Sequence, residues 1–201
     1  GVVVSGHLGE LFLESHGVVF SPETARINEF SVKNTDVSLT LGSIESTDTV
    51  PSEPLYWKIL LDEIDFENVG FALKMPQDSL FVRTMLPKTT LKNGVIDLKE
   101  ASYYVKSFGI DNAELAYGPK EELFLQQIGL QLDSIYYCGK DIRANIEEFV
   151  LKERSGLELV STEGRIVSDS VLIEIPKFTM KTTASSLDLQ TKIGWDVLEM
   201  K

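Results

Sequence analysis

The sequence predicts an all-β protein whose strands form a bent, antiparallel repeat sheet. Three observations support this prediction: apolar and polar residues alternate with a period of two, a ten-residue phrase recurs, and turn residues separate the alternating stretches. Alternation rich in β-branched and aromatic residues is typical of strands. Repeats of this size are typical of stacked or laterally extended folds. The often short spacing between turn signals favours antiparallel neighbours.

The ten-residue phrase has apolar residues at positions one and three, asparagine at position five, and apolar residues again at positions eight and ten. Three clear copies and two looser ones begin at Phe30, Ile64, Phe108, Phe149 and Phe178. We therefore expect a single all-β repeat segment over residues 1–201. Its approximate repeat units start near residues 25, 55, 100, 142 and 171.

The asparagines of the clear copies are Asn34, Asn68 and Asn112, and the looser copies have Glu153 and Thr182 in that place. The apolar residues before the asparagine are at odd positions of the phrase, and those after it are at even positions. In a regular strand the two sets would point to opposite faces, so one face stays apolar only if the chain bulges or turns at the asparagine. Asparagine suits either geometry because it tolerates a left-handed backbone and forms local hydrogen bonds. We expect the asparagines to mark corners or hairpins of a bent sheet and to have no chemical role.

Individual strands are predicted where the alternation is clearest, within residues 26–32, 57–62, 95–98, 103–105, 128–132 and 171–175. Turn signals separate them at residues 21–22, 92–94, 118–119, 138–140, 155–156 and 168–170. The stretch 47–54 is rich in Ser, Thr, Asp and Pro and predicts a loop.

Composition limits the classes of function. The net charge is −12, from 19 basic and 31 acidic residues, which opposes binding to nucleic acid and simple adhesion to anionic head groups. No stretch of about 18 apolar residues could span a membrane as a helix. Cys138 is the single cysteine, so no intrachain disulfide can form.

The sequence contains no pattern that predicts catalysis, a metal site or a cofactor. His7 and His16 lack the further ligands or the orienting acid that such sites need. An unrecognised hydrolase that uses Ser5 or His16 is the least favoured alternative, because no complete constellation surrounds either residue. We therefore expect a protein that is not an enzyme.

Several phrases resemble the AsmA/TamB-like envelope proteins of Gram-negative bacteria. They are the Trp57-Lys58 opening, a Lys-Glu-x-Ser-Gly phrase at residues 152–156 and a Thr-x-x-Ser-x-Leu phrase at residues 182–187. The likeness covers most of residues 25–190.

The resemblance implies a long, curved antiparallel sheet, folded like a taco or an open β-helix, with an apolar interior. It also implies a periplasmic bridge that carries phospholipids toward the outer membrane. The bridge would be anchored in the inner membrane by a helix outside this segment. A BamA-type barrel partner would bind through regions that also lie outside it. The family has no catalytic residues to transfer.

Two interpretations of the apolar residues remain open. An ordinary β-sandwich would use them as its core, whereas a groove would leave one face free for acyl chains. The groove candidates are Val32, Val37, Phe66, Phe71, Ile110 and Leu115. The alternative function is a docking sheet that lends a strand edge to outer-membrane proteins without binding lipid.

Overall fold

The computed structural model describes residues 2–42 and 56–195, and 82% of these residues lie in strands. The predicted loop at residues 47–54 lies outside the described residues. A single turn of 3-10 helix, Pro76–Asp78, joins β4 to β5. The strands are β1 (Val2–His7), β2 (Glu10–Phe20), β3 (Glu23–Leu41), β4 (Lys58–Met75), β5 (Leu80–Asp97), β6 (Ser102–Tyr117), β7 (Leu123–Cys138), β8 (Asp141–Glu153), β9 (Glu158–Ser168), β10 (Leu172–Thr182) and β11 (Ser186–Gly194).

All eleven strands belong to one open, curved sheet. Strands β3 to β11 follow one another in sequence order, and both β1 and β2 pair with the other side of β3. The predicted all-β repeat sheet is confirmed, with the exception that β3 and β4 are parallel. The β-sandwich alternative is wrong, because the described residues form no second sheet.

The three clear copies of the phrase lie in β3, β4 and β6, which all run in the same direction. Because β3 and β4 are parallel neighbours, equivalent positions of the first two copies are paired, as Phe30 is with Ile64. The side chains of Asn34 and Asn68 are hydrogen-bonded, with Asn68 Nδ2 donating to Asn34 Oδ1 over 3.2 Å. The first two copies, which are 34 residues apart in the sequence, therefore lie side by side in the sheet.

The asparagines adopt the left-handed backbone that the sequence predicts, with φ of 50° at Asn34, 53° at Asn68 and 56° at Asn112. All three lie inside unbroken strands, so they are in-strand corners and not hairpins. Gln127 of β7 is also left-handed, with φ of 53°. We call Asn34, Asn68, Asn112 and Gln127 the first corner line.

Strand β5 crosses the first corner line at Pro87. The pairing of β4 with β5 is interrupted at this point, between the pairs Glu67–Lys88 and Val69–Leu86. Proline cannot donate a backbone hydrogen bond and is normally excluded from a central strand. Pro87 is tolerated here because strand pairing is interrupted at the corner, so no backbone N–H is needed from this residue.

A second corner line crosses the sheet at Asn93 of β5 and Ser134 of β7, with φ of 53° and 55°. The sequence predicts a turn at residues 92–94, and this prediction is wrong because Asn93 lies inside β5. The other predicted turn positions fall between strands or at strand ends. The two corner lines divide strands β3 to β7 into three segments each.

The looser copies of the phrase behave differently. Glu153 is the last residue of β8 and Thr182 the last of β10, and the chain reverses after each. In the second turn, the backbone N–H of Thr182 donates to the carbonyl of Ser185 over 2.8 Å. These copies are therefore hairpins, which is the other geometry that the parity of the phrase allows.

The strand ends form two rims along the sheet. At the first rim β3, β4, β6, β8 and β10 begin, and β2, β5, β7, β9 and β11 end. The second rim holds the other ends of β3 to β11, together with the start of β1, where Val2 pairs with Leu41. The start of β2 lies in the middle of the sheet, where Glu10 pairs with Lys33. These two rims bound the face described next.

Candidate functional site

One face of the sheet is apolar over its whole width. A left-handed residue shifts the in–out alternation by one position, so residues 30 and 32 share a face with residues 35, 37 and 39. On the opposite face, charged residues such as Lys33 and Glu67 lie side by side. We call these the apolar face and the polar face.

The six predicted groove residues all lie on the apolar face, in two rows that flank the first corner line. Val32 is paired with Phe66, and both Phe66 and Ile110 are paired with Thr89. On the other side of the corner line, Val37 is paired with Phe71, and both Phe71 and Leu115 are paired with Thr84. The structure therefore brings the six residues together across β3, β4, β5 and β6.

The apolar face has no second layer over it in the described part of the chain. Val32 is 9% exposed, but Phe71 is 38% exposed although it lies in the middle of the sheet. Only five hydrophobic residues of the described chain are buried, namely Val32, Leu61, Ala113, Ala116 and Leu159. A sandwich core would bury many more, so this face is open to a ligand or a partner.

Sequence reasoning missed further members of the apolar face. One row consists of Phe30, Ile64, Leu91, Phe108 and Leu132. The rings of Phe30 and Phe66 are 6.2 Å apart at 87°, an edge-to-face contact. Position one of the phrase could have identified Phe30, Ile64 and Phe108, whereas β5 and β7 contain no copy of the phrase.

Thr89 is one of the polar residues on the apolar face. It is buried between Phe66 and Ile110, and its hydroxyl has no hydrogen-bond partner in the described chain. A buried unpaired hydroxyl is costly, so this atom favours a ligand or water that offers a hydrogen bond.

Ion pairs between neighbouring strands cover the polar face. Lys33 lies 3.2 Å from Glu67, and Lys92 lies 2.9 Å from Glu63. Hydrogen bonds and attraction from these glutamates raise the pKa of Lys33 and of Lys92. Burial, and then repulsion from Glu63, raise the pKa of Asp65. These rows of ion-paired side chains indicate that the polar face is exposed to water.

The residues considered for catalysis are not brought together. Ser5 pairs with Ser38 toward the second rim, whereas His16 Nδ1 is 2.7 Å from Asn28 Oδ1 toward the first rim. Within residues 2–42 and 56–195, no three His, Cys, Asp or Glu side chains could share a metal ion. The same residues include no helix with the length and hydropathy of a membrane span.

A small hollow of about 310 Å³ lies beside the first corner line. Gly70, Ala72 and Ala116 contribute to its floor, with Arg83 and Phe124 beside them. Most of its lining residues belong to the polar face, but Val37 and Phe71 of the predicted groove residues and Thr84 of their row line it as well.

Strands β1 and β2 form an exposed apolar edge of the sheet. They pair with different parts of β3, and no described strand pairs with their other side. Their large apolar side chains are between 47% and 76% exposed, namely Val2, Val3, Val4, Leu11, Phe12, Leu13, Val18, Val19 and Phe20. On β11, at the other end of the sheet, the exposed large apolar residues are Leu187 and Leu189.

Comparison of the chain with protein-family models, with curated proteins and with solved structures gives no match.

Proposed function

We propose that this chain is a segment of a non-enzymatic lipid conduit, in which acyl chains lie on the apolar face and polar head groups stay in water. The observation that supports it most directly is that the rows through Phe66 and Phe71 are apolar except for Thr89 and Thr84, yet are uncovered by a second layer in the described residues. A single-layer sheet normally buries its apolar face against another element. Acyl chains can take the place of that element.

Burial of acyl chains on the apolar face would contribute enough free energy for binding. Each methylene removed from water contributes about 0.8 kcal/mol, so even part of an acyl chain would bind usefully. The rows continue from strand to strand in chain order, because Phe30, Ile64 and Phe108 lie at the same level of the sheet. Similar affinity along a continuous strip lets a lipid slide passively, and the direction of transport comes from elsewhere.

The cellular setting follows from the resemblance described above. We propose that the segment belongs to an AsmA/TamB-like bridge in the periplasm that moves phospholipids between inner and outer membrane and supports outer-membrane biogenesis. Anchoring in the inner membrane and contact with a BamA-type barrel would use regions outside these residues.

Photo-crosslinking tests the proposal. A photoreactive phenylalanine analogue is placed at Phe66 or Phe71, and adducts are identified by mass spectrometry after irradiation in cells. Matched controls have the analogue at Lys33 or Glu67, whose side chains form an ion pair on the polar face of the same region. We expect phospholipid adducts at Phe66 and Phe71 in clear excess over both controls.

Native mass spectrometry of the purified protein gives an independent result. We expect bound phospholipid that a Phe66→Glu, Phe71→Glu double variant no longer retains, because two carboxylates would have to be buried under the acyl chains. Absence of lipid from the wild-type protein and from longer versions of it, together with equal crosslinking on both faces, would refute the conduit.

The exposed edge favours a second candidate function, a docking sheet. Unpaired strand edges recruit further strands, and natural proteins usually protect them with charge or proline. Residues 2–6 of β1 contain neither. This function predicts crosslinks from Val3 and Phe12 to nascent barrel proteins, and none from Phe66 or Phe71 to lipid.

A further inference from the structure

The amphipathic aromatic residues are distributed unequally between the two rims. The chain has two tryptophans and six tyrosines. Seven of these eight lie at or next to strand ends of the first rim: Tyr56, Trp57, Tyr103, Tyr104, Tyr136, Tyr137 and Trp195. The exception is Tyr117, which ends β6 at the second rim.

Tyr103 and Tyr137 are the tyrosines of the first rim that lie on the apolar face. They are directly paired between β6 and β7, with ring centroids 5.9 Å apart. Their row continues through aliphatic neighbours, since Tyr103 also pairs with Ile96. The exposed fractions are 42% for Tyr103 and 43% for Tyr137. Neither hydroxyl makes a hydrogen bond within the described chain, so each ring packs on apolar neighbours while its polar end is free.

The apolar face ends differently at the second rim. Its last rows there contain Leu39, Leu73, Val82, Tyr117 and Leu123. Apart from Tyr117, these side chains are aliphatic, which suits hydrocarbon but offers no hydrogen bond. The two long boundaries of the apolar face therefore differ in chemistry.

From this asymmetry we infer that a glycerophospholipid on the apolar face has its phosphate at the first rim and its acyl chains directed toward the second rim. The inference rests on the proposed function and adds the orientation of the lipid. Tyrosine hydroxyls are hydrogen-bond donors, and aromatic residues with a polar end favour the boundary between hydrocarbon and head groups.

A cation lies in a turn of the same rim. Lys99 is in the turn between β5 and β6, is exposed, and has no partner within the described chain. Lys58 of the same rim is already paired with Asp97 at 3.7 Å. The Lys99 ammonium and the hydroxyls of Tyr103 and Tyr137 are thus the free donors of this rim that we assign to phosphate.

Fluorine NMR of protein that contains 3-fluorotyrosine tests the orientation. The protein is loaded, without vesicles, with a phospholipid that has a nitroxide either in the head group or at the end of one acyl chain. We expect the head-group label to broaden Tyr103 and Tyr137 more than Tyr117. The chain-end label should show the reverse order, because Tyr117 lies at the other rim.

The outcomes separate this inference from the proposed function. Bound lipid with equal or reversed broadening by the head-group label overturns the orientation but not the conduit. Broadening of the first-rim tyrosines only when vesicles are added also overturns it, since the rim would then contact a bilayer surface. No bound lipid and no broadening by either label overturns both.

A hydroxyl-deletion series gives a second test. The variant Tyr103→Phe, Tyr137→Phe keeps both rings and loses only the donors, and Tyr117→Phe is its matched control. We expect affinity for phosphatidylglycerol to fall by more than about tenfold in the double variant, because each hydrogen bond to a charged group contributes about tenfold or more. Affinity for diacylglycerol, which has no phosphate, should not change. Equal losses for both lipids would contradict the assignment.

Discussion

Strands β3 to β7 and strands β8 to β11 belong to one sheet, but the strands of the first group are longer, so that part of the sheet is wider between its two rims. The first group has 16 to 19 residues per strand, and the second has 13, 11, 11 and 9. At about 3.3 Å per residue, the 18 residues of β4 span roughly 60 Å along the strand and the 9 of β11 roughly 30 Å. We call these groups the wide half and the narrow half.

The difference follows from one position of the repeated phrase. In the wide half, asparagine adopts a left-handed conformation and the strand continues past the corner. In the narrow half, Glu153 or Thr182 occupies that position, and the strand ends there. No non-glycine residue of the described narrow half has a positive φ. Among the copies of the phrase, the strand therefore continues where the asparagine is left-handed and ends where Glu153 or Thr182 takes its place.

The largest expected effect comes from packing. Leu61 of the wide half is 8% exposed, whereas Leu187 of the narrow half is 45% exposed. We expect Leu61→Ala to lower the free energy of unfolding by about 2–3 kcal/mol, because it leaves a cavity. Leu187→Ala should cost less than about 1 kcal/mol. Urea unfolding measures both, and equal losses would show that the wide half is no better packed.

The second effect concerns the corner itself. Asn112→Val places a β-branched side chain at φ of 56°, and we expect a cost of about 1–2 kcal/mol for the left-handed backbone. Asn112→Gly tolerates that backbone and should cost less. The neighbouring Asp111→Val serves as an extended-strand control. If Val at position 112 were as stable as Gly, the corners would not depend on the asparagine.

Lipid contact should also differ between the halves. The two tryptophans provide one reporter each: Trp57 packs against Phe20 at 5.8 Å, and Trp195 donates from Nε1 to the carbonyl of Asp169 over 2.7 Å. In single-tryptophan variants, Trp57→Phe and Trp195→Phe, phospholipids brominated in the acyl chains should quench Trp57 more strongly. Stronger quenching of Trp195 would place the lipid in the narrow half.

The smallest effect is a pH dependence of the narrow half. Backbone N–H groups of Leu172 and Val171 hold the pKa of Asp169 below its ordinary value. Because the folded-state pKa is lowered, the stabilisation is present at neutral pH and is lost as the pH falls through that pKa. Asp169→Asn should make stability below about pH 4 less dependent on pH. Hydrogen exchange of β9 and β10 as a function of pH tests this, and an unchanged pH dependence would contradict it.

Much of the fold could be predicted because the pattern of period two is local. The in-strand corners at Asn34, Asn68 and Asn112 required only the parity of the flanking apolar residues and the tolerance of asparagine for positive φ. The same reasoning failed at Asn93, because the dipeptide Asn93-Gly94 is a strong hairpin signal. The structure uses it as a corner of β5, where long-range pairing with β4 and β6 overrides the local preference.

The candidate face could be predicted only in part. Positions three and eight of the phrase identified Phe66 and Phe71, but the intervening strand β5 places Thr89 and Thr84 in the same rows. Nothing local to those threonines indicates an apolar environment. The parallel pairing of β3 with β4 was also missed, because strand direction depends on a connection and not on the residues within each strand.

The alignment of the corner residues has a mechanical consequence. Asn34 and Asn68 are hydrogen-bonded across β3 and β4, and Asn112 and Gln127 lie on the same line two and three strands further on. Bends that coincide in neighbouring strands form one continuous bend across the sheet, and the strand pairing is interrupted along it, so the hydrogen bonds on either side are separate. Under the proposed conduit function, a change in the angle of this bend would widen or narrow the space over the apolar face.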